Sequence, residues 1–247
     1  MQVIGLPILK DNYCWLLVSQ SNCLIIDPGE SAPVIDALVS RKLNPVAIIT
    51  THHHWDHTDG IPDLLAIYPQ IPVIGSADEP ISLMTNALCD KDSIDIPGFP
   101  TITAHTTPGH TKHHCIVSIG DCLFTGDTLF SGGCGRSFEC EPEVLWNSLK
   151  KILDMQINYK IYPGHEYTLE NLAFAHHVLP MDCTIQKAYD LTKILRQNNI
   201  PSVPSTLNKE RRINIFLLSE NRQIWPKILA NQPISDAQTC FKVLRNW

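Results

Sequence analysis

Val46-Ala-Ile-Ile-Thr50 runs directly into Thr51-His52-His53-His54-Trp55-Asp56-His57, so a buried apolar strand is followed by a cluster of metal-binding side chains. Imidazole nitrogen suits zinc and iron, and a carboxylate adds hard-oxygen character; neither is packed at this density to fill a core. Helical spacing resumes after Gly60. His52 to His57 are therefore expected on the loop at the strand's C-terminal end, the edge at which α/β folds build their sites. Taken alone, the segment implies a metal site with room for two ions and names no reaction.

Three further segments repeat the arrangement. Thr101-Ile-Thr-Ala-His-Thr106 leads to Pro108-Gly109-His110, Cys122-Leu-Phe-Thr125 to Gly126-Asp127, and Lys160-Ile-Tyr-Pro163 to Gly164-His165. Each strand delivers one potential ligand through a turn that contains glycine, which lets the backbone pass close to an ion. Any one of His110, Asp127 and His165 is more simply read as a polar loop residue. Their joint occurrence after the histidine cluster makes them ligands. His53 is expected to point away from the shared centre, His114 to support the ligands from behind, and Asp59 to orient a ligand imidazole. His105, His113, His176 and His177 lack a matching context.

Outward from these turns, short apolar runs dominate the first two thirds of the chain: Tyr13 to Ser19, Cys23 to Asp27, Pro72 to Gly75 and Cys115 to Ile119 join those above. Helical spacing separates them at Ile61, Leu64, Leu65 and Tyr68, and at Leu145, Leu149, Ile152 and Leu153 behind Pro142. The class is α/β. Beyond His165 helical spacing takes over, at Leu169, Leu172, Ala173 and His176, and at Ile185, Ala188, Thr192 and Leu195. The division expected is 1–165 for a catalytic domain and 166–247 for a mainly helical one. Ser235 with Gln238 reads as a capping box for a final helix through Ala237, Phe241 and Leu244.

Composition narrows the function. In 247 residues there is no apolar run near the length of a membrane span, and the net charge of −6 argues against nucleic acid as a partner. Nine cysteines, an odd number with no Cys-x-x-Cys pair, suit free thiols in a reducing cytoplasm. The opening Met1 to Lys10 lacks the basic and small-residue marks of a secretion signal.

At this point the chain resembles the metallo-β-lactamase superfamily, whose Thr-His-x-His-x-Asp-His motif and later His, Asp and His match Thr51 to His57, His110, Asp127 and His165. The resemblance implies a four-layer αββα sandwich carrying a C-terminal mainly helical domain. Within that superfamily it is most similar to glyoxalase II, the hydroxyacylglutathione hydrolases. Asn12-Tyr13, Asp27-Pro28-Gly29, Thr107 to Thr111, Phe124 to Phe130, Gly132 to Arg136, Tyr162 to Tyr167 and Val203 to Thr206 carry that similarity. It spans nearly the whole chain.

The resemblance implies two divalent ions per chain, zinc first, with iron or manganese also compatible. His52, His54 and His110 would hold one, Asp56, His57 and His165 the other, and Asp127 would bridge them. A hydroxide shared by the ions would attack the thioester of an S-2-hydroxyacylglutathione, most naturally S-D-lactoylglutathione, giving D-lactate and glutathione in methylglyoxal detoxification. Asp56 and Asp127 are the catalytic candidates, Asp56 also orienting the hydroxide. Arg136, Tyr167 and Arg222 are the expected glutathione contacts, since guanidinium grips a carboxylate bidentately. Phe138 stands where some members have tyrosine, Leu218 where an arginine commonly follows Asn-x-Phe-Leu, and His113 where a glycine is usual. Arg211 and Arg212 are expected to be solvated. Phe138 and Leu218 predict weaker capture of a small-molecule glutathione thioester by a monomer whose chemistry is intact, while His113 touches only loop geometry. Two other readings share the motif: a single-iron glutathione persulfide dioxygenase, and a metal-binding scaffold without activity.

Overall fold

Strands that are apolar on both sides need a packing layer on each face. The computed structural model, which describes residues 1–155, 158–228 and 233–247, meets that need with two six-stranded sheets. The first contains β1 (Gln2–Ile8), β2 (Asn12–Ser19), β3 (Asn22–Ile26), β4 (Asn44–Ile49), β5 (Val73–Ser76) and β6 (Asn86–Leu88), in that order. Its first three strands are antiparallel and the rest parallel. The second contains β7 (Ser93–Ile94), β8 (Ile102–Thr106), β9 (Cys115–Ile119), β10 (Cys122–Gly126), β13 (Lys160–Pro163) and β14 (Ser205–Thr206), with β10 and β13 its parallel pair. A small hairpin of β11 (Leu129–Phe130) and β12 (Gly133–Cys134) stands apart.

The alternation of β2 shows how the layers form. Tyr13, Trp15 and Leu17 point into the core between the sheets, where they join Ile49 of β4, Val117 of β9 and Phe124 of β10. Cys14, Leu16 and Val18 point the other way. There they meet α1 (Ser31–Arg41) and α3 (Ile61–Ile67) through Val34, Leu38, Ile61 and Leu64. The short α2 (Trp55–Thr58) lies inside the histidine cluster. On the far side, Ile116, Leu123 and Ile161 of the second sheet pack under α4 (Pro142–Leu153), α5 (Thr168–Val178), α6 (Cys183–Gln197), α7 (Leu207–Ile213) and α8 (Ala237–Arg245). The result is the αββα sandwich with a C-terminal helical part.

Two local readings change. Asp236, not Ser235, caps α8: its carboxylate accepts the Thr239 N–H at 2.7 Å, and Ser235 instead donates its hydroxyl to Asp236. The charged oxygen is the stronger acceptor at a helix N-terminus. The helical region also supplies a strand, since β14 extends the second sheet beside β13. Its two residues are too few to leave a periodic signal. No helix among the described residues is long and apolar enough to cross a membrane.

Candidate metal centre and substrate cavity

Four strand ends do converge on one edge. The loop after β4 carries His52 and His54, and the short α2 that follows it carries Asp56 and His57; His110 follows β8, Asp127 follows β10 and His165 follows β13. His52 Nε2 and His110 Nε2 each lie 3.1 Å from His54 Nδ1. Asp127 stands between the groups, with Oδ1 3.3 Å from His57 Nε2 and Oδ2 3.3 Å from His165 Nε2 and 3.5 Å from His110 Nε2. Asp56 Oδ2 is 3.5 Å from His165 Nε2 and 3.8 Å from His57 Nε2.

These spacings suit cations. Two metal–ligand bonds of about 2.0–2.1 Å meeting near the tetrahedral angle hold their donor atoms about 3.3 Å apart. His57 Nε2 and Asp127 Oδ1 are buried with no hydrogen-bond partner among the described residues, a state that is costly unless a cation satisfies both. Three donor sets within this centre are close enough to hold an ion: His52, His54 and His110; His52, His57 and Asp127; and Asp56, His57 and His165.

Burial and charge divide the imidazoles. Burial pushes His52, His54 and His110 down from their ordinary pKa, leaving neutral rings with free lone pairs. Burial pulls His57 and His165 down as well, but the Asp127 carboxylate reverses this and holds both above it. Asp127 shows the converse: burial raises it, and His57 with His165 hold it well below the carboxylate range.

Behind most of these side chains stands a group that orients it. Asp27 accepts the Thr51 N–H and hydroxyl, both at 2.8 Å, and faces His57 Nδ1 at 3.1 Å. Asp11 faces His165 Nδ1 at 2.9 Å, the Arg136 carbonyl faces His110 Nδ1 at 2.9 Å, and Asn12 Nδ2 donates to Asp56 Oδ2 at 2.9 Å. His114 Nε2 accepts the Asp127 N–H at 3.1 Å. Asp59 does not take the role expected of it. It is exposed, while the orienting carboxylates, Asp27 and Asp11, come from other strand ends. Asp27 left a usable signal, a carboxylate closing an apolar strand; Asp11 sits in a turn without one.

Two glycines let the backbone close over this centre. A Cβ on Gly29 would stand 1.8 Å from the Asp56 carbonyl oxygen, and one on Gly164 would stand 2.6 Å from both Asp127 Oδ1 and His57 Cε1. Neither position admits a side chain.

The centre opens into a cavity of about 710 Å³ lined by His110, Asp127, Arg136, Phe138, Tyr167 and Arg245, among others. Phe138 is 65% exposed at the rim, its ring centroid 5.2 Å from that of His110. Tyr167 stacks on His165 at 4.6 Å with 8° between the planes. Burial, then the Asp11 charge, push its phenol above the ordinary range, so it stays protonated and can donate. The hairpin loop between Asp127 and Arg136 is held by buried Glu210, which accepts the Gly132 N–H at 2.7 Å and the Ser131 hydroxyl at 2.9 Å. Asn214 adds a bond to the Gly133 carbonyl at 2.8 Å.

Two substrate-side expectations change here. Arg222 is not among the cavity's lining residues; its guanidinium sits 5.6 Å over the Trp225 ring. Leu218 lines a separate hollow with Lys150 and Arg211, so the arginine missing at that position is not missing from this cavity. The cation that sequence reasoning overlooked is Arg245, at the end of α8, with its guanidinium 5.2 Å over Phe216. A basic residue in a helix's last turn has an ordinary explanation in the helix dipole, which masked it.

Comparison with known proteins agrees with this architecture. A model of the metallo-β-lactamase superfamily matches residues 9–165, and one of the hydroxyacylglutathione hydrolase C-terminus matches residues 166–247. The chain is 43% identical over 218 residues to the hydroxyacylglutathione hydrolase of Edwardsiella ictaluri, covering 88% of this chain and 86% of that one. It is 40% identical over 247 residues to the hydroxyacylglutathione hydrolase of Yersinia pestis, covering 100% and 98%. Among solved structures, ETHE1 from Myxococcus xanthus superposes with a TM-score of 0.68 at 21% identity, over 91% of this chain and 88% of that one, a likeness of fold.

Proposed function

The chain belongs to the hydroxyacylglutathione hydrolase family of the metallo-β-lactamase superfamily, and from that premise we propose that it hydrolyses the thioester of S-2-hydroxyacylglutathiones, S-D-lactoylglutathione first among them. The observation that carries this reading is the juxtaposition of two donor sets, with the Asp127 carboxylate lying between them, and a cavity that presents two guanidinium groups. His52, His54 and His110 would hold one divalent ion and Asp56, His57 and His165 the second, with Asp127 shared between them. Zinc is proposed for both, although imidazole and carboxylate donors also accept iron and manganese. Bound there, two such ions lower the pKa of water toward neutrality and polarise an acyl carbonyl as Lewis acids.

The chain's own residues do the rest. Asp56, fixed by the Asn12 amide and open to the centre, is placed to orient the attacking water. Arg136 and Arg245 offer planar donor pairs to the carboxylates of glutathione, and Tyr167 offers a protonated hydroxyl. Phe138 packs against the substrate without donating a hydrogen bond. The leaving thiolate needs little help, because its conjugate acid has a pKa of roughly 8.5. The match of residues 166–247 to the hydrolase C-terminus favours this chemistry over persulfide oxidation.

We assign residues 1–165 to the catalytic domain, 166–247 to the substrate-binding one, and the whole to a cytoplasmic monomer. Nine free cysteines suit a reducing compartment. Loss of thioester absorbance on mixing metal-loaded protein with S-D-lactoylglutathione tests the activity. Turnover is expected; no turnover with any glutathione thioester overturns it.

A further inference from the structure

His53 lies inside the ligand motif yet turns away from the inner centre and stands between two carboxylates. Its Nδ1 is hydrogen-bonded to Oε2 of Glu79, a side chain only 1% exposed, which also accepts the His53 backbone N–H at 3.2 Å and the Thr111 hydroxyl. Its other ring nitrogen, Nε2, faces Oε1 of Glu139 at 3.4 Å. Glu139 is anchored in turn, since its second oxygen accepts the Lys112 N–H at 2.9 Å. A buried carboxylate on one imidazole nitrogen, with the other nitrogen aimed at an oxygen donor, is the arrangement that orients histidine toward a metal. The 3.4 Å gap matches the roughly 3.3–3.4 Å between two donors bound to one tetrahedral zinc. His53, His54 and Glu139 offer three ligand atoms within 4.8 Å of one another.

We propose that His53 and Glu139, with His54 at its edge, form a third, outer divalent-cation site that takes zinc. Both principal donors are partly exposed, at 26% and 31%, so water completes the coordination and the site fills after the inner pair. Glu139 follows Phe138 and lies three residues beyond Arg136. An ion held there ties the substrate-side loop to the ligand loop. Without an ion, the same geometry is an imidazole hydrogen-bonded to Glu79 and facing Glu139, and that arrangement takes up no metal.

Equilibrium dialysis of the metal-loaded protein against rising zinc chloride separates the two. Wild type should take up about one equivalent of zinc beyond the inner complement, saturably, in keeping with a partly hydrated site. Glu139→Gln and His53→Asn should each lose that equivalent while keeping the inner metal content and thioester hydrolysis at low zinc within about twofold. Wild type that stops at the inner complement overturns the proposal, as does an extra equivalent taken up equally by both variants. Asp127→Ala distinguishes this site from the inner reading: it should empty the inner centre and keep the outer equivalent. Failure to empty the centre refutes the shared bridge alone, and loss of the outer equivalent refutes the outer site.

Discussion

The cavity has two walls of different origin. On the metal wall, seven proposed donors come from segments that leave the C-terminal ends of four strands, and carboxylates from neighbouring turns face two of the rings. On the substrate wall, Arg136 comes from the loop after a short hairpin, Tyr167 from the lead-in to α5 and Arg245 from the end of the last helix. On the proposed reading, catalytic chemistry rests on a rigid sheet edge, while recognition rests on the docking of helices. The sharpest way to break this contrast is Asp127→Ala. It should abolish inner metal occupancy and cut kcat/KM by on the order of 10⁴-fold or more, because Lewis-acid activation is lost with the ions. Elemental analysis beside the thioester assay measures both, and full activity in that variant would refute the shared-bridge arrangement.

Asp27→Asn probes the same wall one layer out. The variant keeps the side chain's size but loses the charge facing His57 Nδ1. Metal affinity should fall roughly 10- to 100-fold, as removal of an orienting carboxylate typically does. Competition with a chelator measures it. Asp11→Asn should do less, because Asp11 is 30% exposed and water screens its charge.

On the substrate wall the effects should be smaller and fall on KM. Arg136→Ala and Arg245→Ala should each raise KM roughly tenfold or more while leaving kcat within a few-fold, since a charge-assisted bond contributes about 1.5–3 kcal/mol. The Arg136 carbonyl, which orients His110, is backbone and survives the substitution. Arg222→Ala is the control and should change neither parameter, because that guanidinium stacks on Trp225 away from the cavity. If Arg222→Ala raises KM and Arg245→Ala does not, the assignment of the two cations is reversed.

The same contrast explains what the sequence disclosed. The convergence of the proposed metal ligands was legible because spacing within Thr51 to His57, and the repeated strand-then-glycine pattern at His110, Asp127 and His165, encode proximity locally. The two-sheet layering was legible for a similar reason, since the continuous apolar run of β2 requires cover on both faces. Arg245 was not, because its place beside Phe216 depends on how α8 lands on α4 and on the turn at Leu217–Glu220. Asp11 was hidden likewise: 154 residues separate it from the imidazole it holds. Asp59 misled because nearness in sequence to a ligand is weak evidence of contact when the ligand's free nitrogen faces another strand.

The smallest expected effect lies beneath the metal wall, where the Lys151 ammonium on α4 donates to Asp90 and to the Thr106 carbonyl at the end of β8, just before the His110 loop. Slight burial pushes Asp90 upward, but the bonds from Lys151 and the Thr106 N–H outweigh it and hold the carboxyl below its ordinary 3.8. A carboxyl whose folded pKa lies below its unfolded value contributes stability above that unfolded value and loses it as pH falls through the folded one. Lys151→Met keeps most of the stem and removes the charge. It should lower the melting temperature at neutral pH by about 2 °C or less, because a pair this exposed contributes no more than about 1 kcal/mol. The gap between variant and wild type should close as pH falls below about 4, while thioester hydrolysis at neutral pH is unchanged. A gap that persists unaltered into acid would assign the effect to packing of the lysine stem against β8 and not to the ion pair.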